Sequence, residues 1–355
     1  MSSLRYLNHL NGFERPNLQP WRREGLICLD KNEAPFSPLE SLPNFFEDLK
    51  NQFARTYPDP FPLYEKLSAF TGASTHQLLL TFGSEQAIRF CYELMIGPGD
   101  EVVCLHPTFA MIDVFNRTFQ AKTKIIDFKN SLSLTIESLL DGISKDTKLL
   151  VLPNPNNPTG SQFSLNELEK IANNLKDVGA LFVVDEAYFH YSNITAQPLI
   201  ERYDNVLVTR TFSKGWGLAG IRVGYIVAQK SLIQLLRKLK PIDEVSTFSL
   251  QAALSALEHP ELLKKNVDQV HQWQNNFRNL QKPSLNYHET FANFILLGMT
   301  EENHKKATQW FKENKILVKT EFGHEAFTNK IRFSVTNDSV MSEIFSYFEN
   351  QKPTL

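Results

Sequence analysis

Four short runs of apolar residues constrain this chain more than any other feature. They are Leu149-Leu150-Val151-Leu152, Ala180-Leu181-Phe182-Val183-Val184, Val206-Leu207-Val208-Thr209 and Gly224-Tyr225-Ile226-Val227-Ala228. None alternates apolar with polar residues, so each reads as a strand buried on both faces. Helical stretches separate such strands. Ser164-Leu165-Asn166-Glu167 has capping-box form and opens a helix to about Lys176. Further upstream, Ser84 is the expected cap of a helix through Glu85–Leu94, which the Gly97-Pro98-Gly99-Asp100 turn ends before a strand over Glu101–Leu105. Doubly buried strands alternating with helices predict an α/β fold whose central sheet is mostly parallel and flanked by helices.

The two ends of the chain differ from this middle. The first 60 or so residues are punctuated by Pro16, Pro20, Pro35, Pro38, Pro43, Pro58, Pro60 and Pro62, and read as an extended arm. Beyond about residue 250 come long polar helices such as Pro260–Asn279 and short strands near Phe294–Leu297 and Ile331–Val335, the pattern of a smaller α+β domain. A length of 355 residues fits about two domains.

Charge and cysteine usage narrow the class. Thirty-seven Lys+Arg against 39 Asp+Glu give a net charge of -2, without the basic excess of a nucleic-acid binder. Cys28, Cys91 and Cys104 form no C-x-x-C pair and are expected to be buried apolar residues in a reducing compartment. Met1–Pro20 lacks a basic segment followed by an apolar core, and no apolar run approaches the roughly 18 residues of a membrane helix. The expectation is a cytoplasmic protein without membrane or nucleic-acid partners. The nine histidines show no H-x-x-x-H pattern and no cluster with carboxylates along the sequence; all, His106 included, are read as structural, with no metal expected.

Three polar constellations follow the middle strands: Asn154-Pro155-Asn156-Asn157-Pro158-Thr159-Gly160, Asp185-Glu186-Ala187-Tyr188, and Thr211 through Arg222. Ligands of open α/β sheets bind outside the carboxyl ends of strands, so these loops are expected to share one site. A lysine near an arginine in a Gly-rich loop suits an amine nucleophile, because neighbouring cationic charge and desolvation free the amine. Hydroxyls with Arg222 suit a phosphate, an Asp suits a protonated ring nitrogen, and Asn with Tyr suits a phenolic oxygen. Aldehyde, phosphate, ring nitrogen and phenolic oxygen are the groups of pyridoxal 5'-phosphate.

These motifs resemble those of the fold-type I pyridoxal-phosphate-dependent aminotransferases, most closely the histidinol-phosphate aminotransferase branch. The likeness also takes in Leu29-Asp30-Lys31-Asn32-Glu33, Tyr57-Pro58-Asp59-Pro60, Gly83-Ser84-Glu85-Gln86-Ala87-Ile88, Pro107-Thr108-Phe109, Ala292-Asn293-Phe294 and Ile331-Arg332-Phe333. It implies that Lys214 joins the cofactor aldehyde as a Schiff base, that Asp185 keeps the ring nitrogen protonated, and that Tyr188 and Asn157 bond the ring oxygen. Phe109 stands where the family commonly stacks an aromatic ring, often Tyr, on the cofactor. Ser84 with the N–H groups of Glu85 and Gln86 would hold the phosphate at a helix N-terminus, completed by Thr211, Ser213 and Arg222. Tyr57 is implied to reach a neighbouring subunit's site, in a homodimer with shared active sites, and Arg332 to anchor a substrate anion.

The implied organisation is an arm over 1–45 belonging to the small domain, a large cofactor-binding domain over 46–250, and the rest of the small domain over 251–355. The implied reaction moves an amino group from histidinol phosphate to a 2-oxo acid, 2-oxoglutarate. Two departures bear on the donor: Lys319 stands where the branch typically has an arginine, and Ala34-Pro35-Phe36 offers no hydroxyl where some relatives have a tyrosine. Lysine keeps the charge but loses the planar two-pronged donor. Alternatives are an aromatic or other amino-acid donor, decarboxylation of a phosphorylated amino acid such as threonine phosphate, and, in another class, a non-catalytic effector-binding module of the same fold.

Overall fold

Each of the four apolar runs is a strand in the computed structural model, which describes residues 23–41, 55–243 and 245–350. The strands, in chain order, are β1 (Ile27–Cys28), β2 (Leu78–Thr81), β3 (Glu101–His106), β4 (Lys122–Asp127), β5 (Thr147–Pro153), β6 (Leu181–Asp185), β7 (Val206–Thr211), β8 (Gly224–Ala228), β9 (Leu285–His288), β10 (Phe294–Met299), β11 (Ile316–Leu317) and β12 (Lys330–Ser334). Seven of them form one sheet in the order β2-β8-β7-β6-β5-β3-β4. Neighbours are parallel from β4 through β7, while β8 runs antiparallel to both β7 and β2.

Successive strand residues point to opposite faces, and both faces are packed. Leu150, Leu152, Phe182, Val184, Val206 and Val208 join one apolar cluster, which the helices Phe61–Thr71, Leu165–Asp177 and Thr247–Glu258 cover. Leu149, Val151, Leu181, Val183 and Leu207 join the other, under the helices Gly83–Met95, Ala110–Thr118 and Lys230–Leu236. Truncating one such leucine to alanine costs about 2–5 kcal/mol. Double coverage explains why these strands carry no polar alternation.

A second, antiparallel sheet has the order β12-β10-β9 and packs with the helices Pro260–Asn279, Glu301–Glu313 and Asp338–Glu349. The arm joins this part: β1 pairs in parallel with β11, Ile27 opposite Ile316, and Leu29 lies in the same apolar cluster. Ala187, Tyr188 and Tyr191 enter that cluster too, so the loop after β6 touches both bodies of the fold.

One local expectation is corrected. Ser84 is not the helix cap: the helix begins at Gly83, with Phe82 in the cap position and Ser84 inside the first turn. The chain turns sharply out of β2 at Gly83, where φ is +76°, a conformation open to glycine. The expected arm of the first 60 or so residues gives way to helix at Phe61. Residues 1–22 and 42–54 of the expected arm lie outside the described residues. No helix among the described residues is long and apolar enough to cross a membrane.

Candidate active site

Parallel strands that stop at one level deliver their following loops to one place. Asp185 is the last residue of β6, Thr211 the last of β7, and Asn154 follows the end of β5. The Asp185 carboxylate is buried at 5% exposure and accepts a 2.7 Å hydrogen bond from the Thr209 hydroxyl. Burial pushes its pKa up to about 6, against the Thr209 bond and the Ala187 N–H, which favour the charged form. At neutral pH it is a buried negative charge in want of a cation.

Lys214 lies beyond the β7 end, and its Nζ donates to the main-chain carbonyls of Lys31 (2.8 Å) and Asn32 (3.0 Å). Its side chain is only partly covered, yet the protein around the amine pushes its pKa down to about 8, with Arg332 and Arg222 adding repulsion. The Tyr188 hydroxyl accepts a 2.9 Å bond from Asn32 Nδ2, and burial raises its pKa. The buried Asn32 Oδ1 has no partner.

Arg332, 6% exposed on β12, donates through Nη1 to the Asn157 carboxamide oxygen and through Nη2 to the Asp30 carbonyl at 2.9 Å; its buried Nε has no partner. The rings of Phe294 and Phe322 flank it at 5.1 and 5.9 Å. Burial lowers its pKa to about 10. Lys319 pairs with Arg332 through two reciprocal 2.9 Å main-chain bonds, and burial and the Arg332 charge lower its pKa. Two adjacent cations short of acidic partners suit an anionic group.

The N-terminus of the helix Gly83–Met95 forms a further anion cradle. Arg222 adopts φ +55° and ψ +51°, a left-handed conformation rarely taken by a side-chain-bearing residue, and its Nη1 donates to Ser213 Oγ at 3.1 Å. The Ser213 N–H donates to Thr211 Oγ1 at 3.0 Å. A Cβ at Gly83 would sit 2.7 Å from Arg222 Nη2, and one at Gly224 only 2.6 Å from the main chain of Gly83 and Ser84. Both glycines therefore permit the close approach of helix and guanidinium. Gln86 accepts the Phe82 N–H, at 2.6 Å, so its side chain caps the helix, while Ser84 and Glu85 lie in the first turn.

Phe109 precedes the helix Ala110–Thr118 and is half-buried against the sheet. Thr108 Oγ1 donates to Asn156 Oδ1 (2.8 Å) and Asn156 Nδ2 to the Pro107 carbonyl (3.1 Å), which ties the loop of Phe109 to that of Asn157. Tyr57 is not drawn into this network; it stands 87% exposed. Trp216 is a packing residue, buried and stacked on Phe212. Cys91 and Cys104 are buried, Cys28 half-buried.

Sequence reasoning gave no role to Asn32, Asn293 or the Glu186–Arg210 pair. Asn293 Nδ2 donates to the carbonyls of Asn32 and Glu33, holding the arm over the lysine. Glu186 and Arg210 form a fully buried ion pair at 2.9 Å beneath the loop after β6. The presence of Asn32 and Asn293 in motifs already picked out was the available signal; the Arg210 partnership had none.

The residues fit pyridoxal 5'-phosphate: an uncompensated buried carboxylate, an amine with a lowered pKa, an orphaned amide oxygen beside a phenol, and a cradle that two Cβ atoms would fill.

A family model described as aminotransferase class I and II matches residues 25–348. A histidinol-phosphate aminotransferase of Thermoanaerobacter pseudethanolicus is 31% identical over 315 residues, 87% of this chain and 88% of that protein. One from Methanococcus maripaludis is 32% identical, over 77% of this chain and 75% of its own length. Among solved structures, the histidinol-phosphate aminotransferase of Sinorhizobium meliloti in complex with pyridoxal-5'-phosphate superposes with a TM-score of 0.82 at 21% identity, covering 91% of this chain and 90% of that one.

Proposed function

This chain belongs to the aminotransferase class I and II family, and on that premise we propose that it binds pyridoxal 5'-phosphate and transfers the amino group of histidinol phosphate to 2-oxoglutarate, yielding imidazole acetol phosphate and glutamate. The observation that carries this reading is the meeting of separate segments around the Lys214 amine, which donates to the arm and feels the charges of Arg332 and Asp185, with Lys319 paired to Arg332.

Bound there, the cofactor supplies an aldehyde that takes up the amino group and a ring that accepts the electron pair of the broken α C–H bond. Lys214 Nζ, neutral in a substantial fraction at physiological pH, is the proton carrier between donor carbon and cofactor carbon. Asp185 holds the proton on the ring nitrogen; its buried charge gains a partner there and loses its desolvation penalty. Tyr188 and Asn157 bond the ring oxygen, and Asn157 passes its orientation to Arg332. Ser84, the N–H groups of Glu85 and Gln86, Thr211, Ser213 and Arg222 hold the cofactor phosphate, and Phe109 covers the ring. Arg332 and Lys319 take the substrate anion.

Tyr57, Phe61 and Ile242 are large apolar side chains left 87%, 57% and 90% exposed, which supports a homodimer with shared sites. The pairing of β1 with β11 supports assigning residues 1–45 to the small domain with 251–355, around a large domain over 46–250. A biosynthetic role of this kind supports a cytoplasmic location.

The test is the visible absorption of the cofactor-loaded protein on adding histidinol phosphate alone. Conversion of the visible band to a shorter-wavelength form is expected. An unchanged band rejects this donor and directs the search to aromatic amino acids; carbon dioxide release from threonine phosphate identifies a decarboxylase.

A further inference from the structure

At the β4 edge of the large sheet, three residues without a role in the proposed reaction meet. His106 and Asp127 end β3 and β4 and face each other in register. His324 arrives from a segment some two hundred residues later, where it precedes the turn Glu325–Phe327. Its Nε2 lies 3.3 Å from Asp127 Oδ1, and its ring meets that of His106 edge-on with centroids 5.1 Å apart. One ligand atom from each of the three lies within 4.8 Å of the others.

We propose that His106, Asp127 and His324 form a binding site for a divalent transition-metal ion of the zinc type, which fastens the 319–327 segment to the edge of the large sheet. Two imidazoles and one carboxylate are the donor set of zinc, cobalt and nickel, and offer too few oxygens for magnesium or calcium. Bonds of about 2.0–2.1 Å place the ligand atoms of a tetrahedral ion about 3.4 Å apart, so the trio must draw in slightly. The means exist. The His324 side chain is 5% exposed and fixed, whereas that of Asp127 is 43% exposed and His106 is exposed as well. That exposure leaves a fourth position for water. Asp127 Oδ1 already accepts the Lys129 N–H, which leaves Oδ2 for the ion.

One proton must be relocated. The Ala326 N–H donates to His324 Nδ1 at 3.1 Å, so the neutral ring carries its proton on Nε2. Coordination through Nε2 moves that proton to Nδ1 and gives up the Ala326 contact; no net proton is lost from the ring. The gain is a clasp across the fold. Phe322, two residues before His324, leans on Arg332 and Lys319 and stacks on Phe327 with centroids 4.4 Å apart. An ion at His324 would hold that stack, and with it the wall beside the cationic pair.

The experiment is calorimetric titration of the untagged, cofactor-loaded, chelator-washed protein with Zn²⁺, alongside His106→Ala, Asp127→Asn and His324→Ala. One saturable equivalent per chain is expected, weakened at least about tenfold by either histidine substitution, with Co²⁺ at the same site giving visible ligand-field bands and Mg²⁺ no heat. Absence of saturable Zn²⁺ binding overturns the proposal. So does binding that His106→Ala leaves unchanged; that residue is exposed and its loss leaves the core intact, which keeps the test decisive if His324→Ala fails to fold.

Discussion

Asn32 of the arm donates a 2.9 Å hydrogen bond to the hydroxyl of Tyr188, 156 positions away at the end of the sheet. Arm and sheet thus share one polar network, which also takes in Lys214 and Asn293. In Asn32→Ala the buried Tyr188 hydroxyl is left unpaired, a loss of about 1–3 kcal/mol. Chemical denaturation of the cofactor-free protein should show it, together with weaker cofactor binding by fluorescence titration. A variant as stable as the parent would mean that water replaces the amide.

Lys214→Ala should remove turnover and the visible band of the loaded protein. Its cofactor-free form should be no less stable than the parent, because the amine it removes is held in a desolvated place that lowers its pKa to about 8. Activity and melting temperature measured on the same preparation separate loss of chemistry from loss of fold. Multiple turnovers in the variant would contradict the assignment.

The lowered pKa of Lys214 sets a pH dependence. The neutral amine attacks an aldehyde, so the rate at which the cofactor-free protein captures pyridoxal 5'-phosphate should rise with pH and level off above about 8. An unperturbed lysine would keep rising towards about 10.4. Arg332 is the first charge acting on the amine, so Arg332→Gln should move the midpoint upward. Stopped-flow absorbance against pH reads both, and a midpoint indifferent to Arg332 would show that burial alone sets it.

Asp185 should be a liability without its partner. Its pKa rises on folding from 3.8 to about 6, so the native state binds the proton more tightly than the unfolded chain. Stability from this group is complete below about pH 4, falls as pH rises towards 6, and stays reduced above that. The difference corresponds to about 3 kcal/mol at neutral pH. Asp185→Asn should therefore stabilise the cofactor-free protein at pH 7 by up to that amount, with the gain gone at pH 4, while cofactor affinity and activity collapse. Denaturation midpoints at the two pH values decide it.

Lys319→Ala should raise KM for a phosphorylated donor by about 10-fold or more with a smaller change in kcat, the signature of lost uniform binding. Lys319→Arg should retain a low KM, since it restores the planar donor. Steady-state kinetics with phosphorylated and unphosphorylated donors distinguish an anion contact from a packing effect, which would change both donors alike.

The sheet and its polar loops were legible because each rests on local signals. Doubly buried strands show as unbroken apolar runs, and Asp185, Lys214 and Arg222 sit at fixed offsets beyond them. Other features depend on distant partners. The Glu186–Arg210 pair joins the loop after β6 to β7, and nothing in either segment announces the other. The antiparallel sense of β8 is set by how the chain returns after Arg222, and the apolar content of the strand is the same in either direction. His106, Asp127 and His324 are scattered along the sequence, so a search by spacing passes over them and only the fold gathers them. Ser84 was misplaced by one local rule, hydroxyl at the cap, that the turn at Gly83 overrides.

The amine of Lys214 rests on two main-chain oxygens, those of Lys31 and Asn32, and no substitution can delete a carbonyl. The side chain of Lys31 is thus free to drift, while the spacing between β1 and this contact is not. A residue inserted or lost between Cys28 and Asn32 would slide both oxygens past the amine with every functional side chain still present. What the arm must keep is its length.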